Sequence, residues 1–446
     1  MAATSIDSEL LGDQYSTPEM RDVFSDRATI QAWLDTEVAL AEAEAALGII
    51  PAEAAEAIAA AGDAADYDLN EMKESIARTT HAIVTLVRAI KNKCPEHLGE
   101  YVHWGATTQD IMDTGMVLQI RQAEELISTR LQQLSNALLD LVVTHALTIM
   151  PGRTSGQHAL PITFGYKAAV WLDTVRRHQD RLEEMRPRLM VGQYGGAVGT
   201  LAALGDQGYA VRDGMMERLG LGVPSITWHT TRDRLVEMVS NMTMIAGLCG
   251  QIAAEVFLLQ RTEIQELEEP VPPGKVGSST MPHKRNPAIC VQISTLARTT
   301  RANLPLAFET LIGDNERDRV GMQVEKDFIP RTLCQVDGAL AKTVYLLEGL
   351  DVRVDNMREN LNITRGLTMS EAVMYALGER MGRQEAHDVL HHACALAFTE
   401  GTDMRTALLA DESVTDILSE DEIDALLDPE AYTGLAARMA RDVADD

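Results

Sequence analysis

The chain is poor in aromatic residues, cysteine and positive charge. Aromatic residues make up 4% of its 446 residues, and 39 lysine and arginine residues stand against 67 aspartate and glutamate residues. The resulting formal net charge of −28 argues against nucleic acid and against an anionic membrane as a partner, because phosphate binding needs a basic face. A small anionic substrate stays open, since a few local cations are enough to bind it.

Cysteine usage and the N-terminal sequence bear on location. The cysteines are scattered and form no CxxC pair: Cys94, Cys249, Cys290, Cys334 and Cys394. We interpret them as reduced thiols of a cytoplasmic protein. The N-terminus has no basic flank followed by an apolar core, and no run of about 18 uninterrupted apolar residues suggests a membrane span. No metal-ligand spacing is apparent, so we predict no metal site.

Helical periodicity dominates the apolar pattern, and no convincing run alternates as a strand would. Residues 114–147 contain no proline and predict one helix about 50 Å long, at ~1.5 Å per residue. Helices of that length are typical of a long bundle, so we predict an all-α fold. The predicted helices cover residues 29–47, 70–91, 114–147, 161–190, 229–269, 288–312, 325–349, 370–382 and 384–400. We divide the chain into an N-terminal helical domain (1–111), a central long-helix bundle (112–351) and a C-terminal helical cap (352–446).

Residues 277–287, GSSTMPHKRNP, concentrate the most reactive side chains of the sequence. Flanking glycines favour a loop that can close as a lid, and a helical apolar pattern follows the last proline. Lys284 and Asn286 therefore lie where a loop enters a helix, and the free N–H groups and positive dipole end there favour an anion. Together with the adjacent hydroxyls of Ser278 and Ser279, they suit removal of a proton next to a carboxylate.

Residues 101–110, YVHWGATTQD, form a second candidate site just before a long predicted helix. Thr107 and Thr108 offer hydroxyl and N–H groups there, which suit either an anion site or an ordinary helix N-cap. His103 would face the same pocket.

Residues 152–161 form a third candidate, between two predicted helices. Arg153 can pair with a carboxylate, and Gln157 and His158 stand before the next helix. The other interpretation is a polar turn between helices. His81 lies within the predicted helix 70–91, where a lone histidine has either a structural or a functional role.

The sequence GSSTMPHKRNP resembles the signature loop of the fumarase/aspartase superfamily, which includes adenylosuccinate lyase, argininosuccinate lyase and 3-carboxy-cis,cis-muconate cycloisomerase. The resemblance extends roughly from Tyr15 to Tyr432. It implies an enzyme without a cofactor that acts on a small di- or tricarboxylate. It also implies a homotetramer, in which the long helices form a central bundle and three subunits build each active site.

The resemblance also implies roles for individual residues. Ser278 would be the general base, and His158 or His81 would protonate the leaving group where a proton is needed. Hydrogen-bond donors and the signature cation would stabilise an aci-carboxylate intermediate. The residues placed around the substrate are His103, Thr107, Thr108, Arg153, Gln157, Ser279, Met281, Lys284 and Asn286.

Departures from the superfamily pattern bear on the substrate. Lyases usually carry a histidine directly after Arg–Thr, where this chain has Ser155; carboxymuconate cycloisomerases depart there too and keep the Gln–His pair that follows. The serines with which adenylosuccinate lyases hold a nucleotide phosphate are missing from residues 319–325. Both departures favour 3-carboxy-cis,cis-muconate, interconverted with its lactone in the degradation of aromatic compounds.

The alternative substrate is a substituted succinate, cleaved at its C–N bond to release fumarate by a nitrosuccinate-, aspartate- or adenylosuccinate-type lyase. His81 favours this alternative, because adenylosuccinate lyases carry a histidine at that position. A catalytically silent binding protein on the same scaffold is a third hypothesis. Loss of the signature serine, lysine or asparagine would indicate it, and all three are present.

Overall fold

The computed structural model describes residues 4–95, 97–271, 274, 280–281 and 283–445. Helices account for 70% of the chain and strands for 4%, which confirms the all-α prediction. The helices are α1 (Pro18–Val23), α2 (Asp26–Ala46), α3 (Ala52–Ala60), α4 (Leu69–Thr79), α5 (Ala82–Lys93), α6 (Thr108–Thr144), α7 (Phe164–Leu189), α8 (Gly208–Leu219), α9 (Asp233–Leu259), α10 (Ala288–Glu309), α11 (Arg319–Glu348), α12 (Val354–Leu361), α13 (Ser370–Met381), α14 (Arg383–Glu400), α15 (Met404–Leu409), α16 (Glu412–Thr415), α17 (Glu420–Leu426) and α18 (Ala436–Asp445). The strands β1 (Ile149–Thr154) and β2 (Gln157–Thr163) pair antiparallel, as do β3 (Leu267–Glu268) and β4 (Asp351–Val352).

The chain divides into two compact units, whose boundaries fall inside five of the long helices (α6, α7, α9, α10 and α11). The first unit comprises Met1–Leu131, His178–Gly250 and Gln292–Ala341, and the second comprises Gln132–Arg177, Gln251–Val291 and Lys342–Asp446. The division into three domains that we drew from the sequence stays a prediction.

Helix α2 lies at the centre of the first unit's packing. Its residues Ile30 and Leu34 join a buried cluster with α3, α4 and α5, whereas Leu40 joins a second cluster with α5, α6 and α8. A helix that is apolar on two faces is buried on both. The same helix carries two buried carboxyl side chains, Glu37 and Glu44.

A buried ionic triad connects the helices of the first unit. Arg232 donates to Asp113 of α6 at 2.9 Å and also to Glu325 of α11, and all three side chains are buried. Gln109 donates a further hydrogen bond of 3.1 Å to Asp113. A buried charge is tolerated only when it is paired. The triad therefore fixes the N-terminal part of α6 against α11.

The second unit contains the β-hairpin and the C-terminal helices. Helix α12 packs on β1, and helices α13 to α17 enclose a hydrophobic cluster of their own, which includes Leu377, Leu390 and Leu408.

The hairpin corrects our interpretation of residues 152–161 as a loop between helices. Thr154 pairs with Gln157, so Ser155 and Gly156 form a two-residue turn in which both residues have positive φ, 52° and 78°. Turns of this kind match the twist of an antiparallel pair and favour small residues. The strands are short and contain two prolines, so their alternation is hard to recognise in the sequence.

The predicted helix over residues 70–91 is also wrong in one respect. The chain forms two helices there, because Thr80 adopts a left-handed conformation with φ 57° and ends α4. His81 is therefore the N-cap residue of α5 and does not lie inside a helix. The hydroxyls of Thr79 and Thr80 bond to the carbonyl groups of Ser75 and Thr79, which competes with helix continuation.

Two long helices differ from the sequence prediction at their ends. Helix α9 ends at Leu259, and the chain then turns into β3, whereas we expected the helix to continue to residue 269. Helix α11 begins at Arg319, so Pro330 lies well inside it. Helix α9 is long and apolar enough to cross a membrane by length and composition alone, but half of its most apolar 18-residue window is buried inside the protein. A core helix of a globular protein passes the same test.

We predict that Arg232→Met destabilises the protein strongly. The substitution leaves Asp113 and Glu325 as buried carboxylates without their cation, which costs about 3–5 kcal/mol. The urea midpoint of unfolding should fall accordingly.

The matched control is Arg405→Met, because Arg405 pairs with Glu420 and Asp424 at the surface and exposed pairs contribute little. Equal midpoints for the two variants would contradict the assigned role of the triad.

Candidate active site

The start of α6 is organised by the carboxylate of Asp110. Asp110 is fully buried and accepts hydrogen bonds from the backbone N–H groups of Thr107 (3.0 Å), Gly195 (3.0 Å) and Gly196 (2.9 Å). Its Oδ1 also lies 2.8 Å from Nε2 of His229. The contact with Thr107 is the return half of a capping box. It corrects our expectation that the Thr107 N–H is available to a substrate, because Asp110 already accepts it.

One ring nitrogen of His81, Nδ1, is within hydrogen-bond distance of neighbouring groups. This atom lies 3.0 Å from the carbonyl oxygen of Thr79 and 3.2 Å from the Thr80 hydroxyl. A carbonyl oxygen only accepts, so Nδ1 carries a hydrogen in the Thr79 contact and Nε2 is the proton-accepting nitrogen of the neutral ring.

His81 and Thr108 line one cavity of the first unit. The cavity has a volume of about 150 Å³. Three cationic residues also line it: Arg317, Arg319 and Lys326. No acidic residue is among the described residues that line it. Burial lowers the pKa of Lys326, and the charge of Arg319 lowers it further. The cavity is therefore a concentration of positive charge in a chain that is otherwise strongly acidic.

The cationic residues of this cavity escaped the sequence interpretation. Residues 319–325 contain no serine hydroxyl that could hold a phosphate, so the sequence predicted no phosphate donors there. In the structure, Arg317, Arg319 and Lys326 supply cationic donors. The NERDR run at residues 315–319 was the available signal. What could not be seen is that Lys326, seven residues after Arg319, joins it two turns along α11.

The other residues of the second stretch lie in the same unit. His103 adopts a left-handed conformation with φ 64°, and its Nδ1 lies 2.7 Å from Oε1 of Glu37. Burial would lower the pKa of His103, but the charge and hydrogen bond of Glu37 and the charge of Asp110 raise it above its ordinary value.

The candidates on the β-hairpin lie in the second unit. Arg153 and His158 are cross-strand partners, Ser155 is at the exposed turn, and Gln157 is exposed. Arg153 forms a bidentate pair with the buried carboxylate of Glu266, with one N–O distance of 2.9 Å. The role of Arg153 as a ligand of a substrate carboxylate stays a prediction. In this structure the carboxylate of Glu266 neutralises the Arg153 guanidinium.

The surroundings of His158 favour the neutral imidazole. Burial lowers the pKa of His158, the charge of Arg153 lowers it further, and Glu266 acts in the opposite direction. The Nδ1 atom of His158 is buried and has no hydrogen-bond partner among the described residues.

The signature residues Ser278 and Ser279 lie outside the described residues. Helix α10 begins at Ala288, so Lys284 and Asn286 lie immediately before a helix, as predicted. Both line a cavity of about 1050 Å³ in the second unit, and Met281 is exposed.

The anion at the start of α10 is one of the protein's own side chains. Glu269 accepts hydrogen bonds from the backbone N–H groups of Ile289 (3.0 Å) and Cys290 (3.1 Å). We expected these N–H groups to favour a substrate anion. The sequence carried no signal for this cap, because Glu269 precedes the helix by many residues.

The candidate residues thus form three groups. The first unit holds His81, His103, Thr107 and Thr108; the hairpin holds Arg153, Gln157 and His158; the signature region holds Met281, Lys284 and Asn286.

Comparison with known proteins places the chain in a family of enzymes. The family model described as "Lyase" matches residues 13–299, and the model described as "Adenylosuccinate lyase C-terminus" matches residues 366–443. The chain belongs to this lyase family, within the fumarase/aspartase superfamily, as the signature loop predicted.

Three full-length relatives carry more particular names. A 3-carboxy-cis,cis-muconate cycloisomerase of Pseudomonas aeruginosa is 42% identical, over 96% of this chain and 94% of its own. An N-acetyl-S-(2-succino)cysteine lyase of Dickeya dadantii is 38% identical, over 99% of this chain and 97% of its own. The crystal structure of the 3-carboxy-cis,cis-muconate lactonizing enzyme from Pseudomonas putida matches with a TM-score of 0.93 at 41% identity, over 98% of both chains.

We predict that Arg153→Met raises the pKa of His158. The substitution removes the cation that disfavours the imidazolium and leaves the Glu266 carboxylate, which favours it, so both changes act in the same direction. The wild-type imidazole should lose its proton below pH 6.5, and the variant imidazole at a higher pH. Titration of histidine ring carbons by NMR measures both, with His158→Gln to assign the signal.

Arg153→Lys is the control, because it keeps the positive charge and should leave the His158 titration close to that of the wild type. A titration that is the same in the Arg153→Met variant and the wild type would contradict the electrostatic origin of the shift.

Proposed function

We propose that the chain catalyses a proton-abstracting addition–elimination on a small polycarboxylate, most like a 3-carboxy-cis,cis-muconate cycloisomerase, which interconverts this substrate with its lactone. The observation that carries the proposal is the cavity lined by His81, Thr108, Arg317, Arg319 and Lys326 without an acidic residue among its described lining. A polycarboxylate supplies the negative charge that this cavity lacks.

The electrostatics and size of the cavity support a small anion. Burial lowers the pKa of Lys326, and the charge of Arg319 lowers it further. A bound carboxylate would favour the charged form of Lys326. At about 150 Å³ the cavity is smaller than the ~300–1,000 Å³ of pockets that enclose drug-sized ligands. It therefore suits a carboxylate-rich small molecule better than a nucleotide, even though cationic donors are present.

The proton chemistry also favours lactonization. In the delactonizing direction, Ser278 takes the proton next to a carboxylate, and the C–H electron pair moves into that carboxylate. The pair then returns to form the C=C bond, while the lactone C–O bond breaks and its electrons stay on the departing carboxylate oxygen. A carboxylic acid has a pKa of about 4, so this leaving group needs no proton. The neutral state of His158 suits such a step, whereas an amine leaving group requires a proton donor.

The alternative is a lyase that releases fumarate from a substituted succinate. The position of His81 in the cavity wall favours it, because an imidazolium there, protonated at Nε2, can deliver a proton to a leaving group. The similarity to the Dickeya dadantii lyase extends the range of leaving groups from nitrogen to sulfur. Ser278 would abstract the proton in the same way.

We also propose that the protein is a homotetramer in which three subunits contribute to each active site. Large apolar side chains are exposed on the long helices, among them Val143, Val170, Met244, Phe257, Phe308 and Tyr345. Burial of these side chains against other copies of the chain would account for their exposure in a single chain. A sedimentation mass equal to that of one chain, 48.8 kDa, would contradict the tetramer.

A cytoplasmic location and a part in the degradation of aromatic compounds follow from the same proposal. All five cysteines are free thiols, which suits a reducing compartment. Carboxymuconate is a ring-opened aromatic acid, so its lactonization belongs to such a pathway. Fractionation of cells that express the protein tests the location directly.

The experiment that tests the function is a pair of ultraviolet assays on the purified protein. One follows the absorbance of 3-carboxy-cis,cis-muconate, and the other follows fumarate released from N- and S-substituted succinates. We expect loss of the muconate signal without fumarate. Release of fumarate would establish the alternative, and inactivity in both assays would favour the silent binding protein.

Ser278→Ala is the matched control for the chemistry. Loss of a general base costs on the order of 10²- to 10⁴-fold in rate, so turnover should nearly vanish while the oligomer stays intact. An active Ser278→Ala variant would contradict the mechanism without excluding the substrate.

A further inference from the structure

His103, the histidine of residues 101–110, contacts the buried carboxylate of Glu37. Glu37 lies on α2, its side chain is fully buried, and its Oε1 is 2.7 Å from Nδ1 of His103. About a fifth of the His103 side chain is exposed. A carboxylate accepts the Nδ1 hydrogen, so Nε2 is the nitrogen that can meet a ligand.

A second buried carboxyl group, Glu44, lies close to Glu37 on the same helix. Glu44 follows Glu37 by two turns of α2, is fully buried, and has no hydrogen-bond partner on either oxygen among the described residues. Burial, together with the charge of Glu37, raises the pKa of Glu44 to about 8. Glu44 is therefore mostly uncharged at pH 7.

The loop that carries His103 is held in place on both sides. His103 itself has a left-handed backbone, with φ 64°, and so has Gly105, with φ 70°. A Cβ at Gly105 would lie 3.1 Å from the Tyr194 hydroxyl, so the loop packs closely on that buried ring. A strained non-glycine backbone persists only where its surroundings hold it, and the Glu37 contact is one such restraint.

We propose that Glu37 is a positioning residue that acts through His103. Its buried carboxylate fixes the ring through Nδ1 and sustains its positive charge, so that Nε2–H donates to a substrate carboxylate beside Thr107 and Thr108. This inference rests on the proposed function, since it assigns a binding partner to the same polycarboxylate. It adds an imidazolium to the hydroxyl groups that Thr107 and Thr108 offer to the substrate at the start of α6.

The pH dependence follows from the groups that face this pair. Glu44 on α2, Asp110 on α6 and the Tyr194 hydroxyl are the other titratable neighbours. Burial, with the charges of Glu44, Asp110 and Glu37, raises the pKa of Tyr194, so that hydroxyl stays neutral. His103 with a raised pKa holds its proton at pH values where an ordinary histidine has lost it, and releases it as the pH rises further.

The test is Glu37→Gln, studied by NMR titration and by kinetics. The amide keeps the shape of the side chain but removes the charge, so His103 should lose its proton at a lower pH than in the wild type. The value of KM should rise on the order of tenfold near pH 7.5, since a charged hydrogen bond to the substrate is lost, and kcat should change less. The pH at which KM begins to rise should move down with the His103 titration.

Glu44→Gln is the matched control. It replaces a carboxyl group that is already mostly uncharged at pH 7, so the His103 titration and KM at that pH should stay those of the wild type. A purely structural role for Glu37 would lower the stability of the Glu37→Gln variant and would leave the pH profile of KM in place.

A double variant tests whether Glu37 acts through His103. In a His103→Gln background, Glu37→Gln should raise KM no further, because Glu37 acts through the imidazole. Additive increases, or an unshifted His103 titration, would overturn the proposal. If the titration shifts as expected but no polycarboxylate is turned over, the proposed function fails and the Glu37–His103 pairing stands.

Discussion

The buried carboxylate of Asp110 is the contact on which the first unit's candidate site depends. One side chain accepts N–H groups from the N-cap of α6 and from the glycine-rich segment at residues 195–196, and it also contacts the ring of His229. Its loss would leave several buried donors unpaired at once, which is costly. The position of Thr108 at the cavity wall is a consequence of this one anchored carboxylate.

The distribution of the protein's own carboxylates distinguishes the candidate sites. In the second unit, Glu266 neutralises Arg153, Glu268 pairs with Arg285 and Arg353, and Glu269 caps α10. The cations there are largely matched within the chain. The cavity of the first unit has the opposite character, because its described lining contains several cations and no carboxylate. This contrast in charge is why we propose that a polycarboxylate binds in the cavity of the first unit.

Most of the long helices were predictable, because helix formation depends on residues that are close together in the sequence. The apolar residues of the long helices recur with the 3.6-residue period of an α-helix. Both ends of α7 and α10 and the C-terminal end of α6 lie within a few residues of the predicted ends, whereas α6 begins earlier than predicted. The hairpin was missed, because two prolines and a Ser–Gly turn obscure a short strand pair. The break at Thr80 was missed, because a left-handed threonine leaves no mark in the apolar pattern.

The candidate site was predictable where residues act in one continuous motif and not where they meet through folding. The signature residues and the Thr107–Thr108 pair could be named from adjacent letters. By contrast, Glu37 lies far from His103 in sequence, and Glu266 lies still farther from Arg153. Which carboxylate neutralises which cation is decided by packing, so the charge state of His103 and His158 could be assigned only from the structure.

The most direct test of the account is a crystal structure of the Ser278→Ala variant with 3-carboxy-cis,cis-muconate bound. We predict that one carboxylate of the ligand contacts the start of α6 at Thr108 and that another contacts Arg317, Arg319 or Lys326. We also predict that Lys284 and Asn286 reach the ligand from a different subunit. A ligand bound without contact to any of the three cations would contradict the central claim that this cavity selects the substrate.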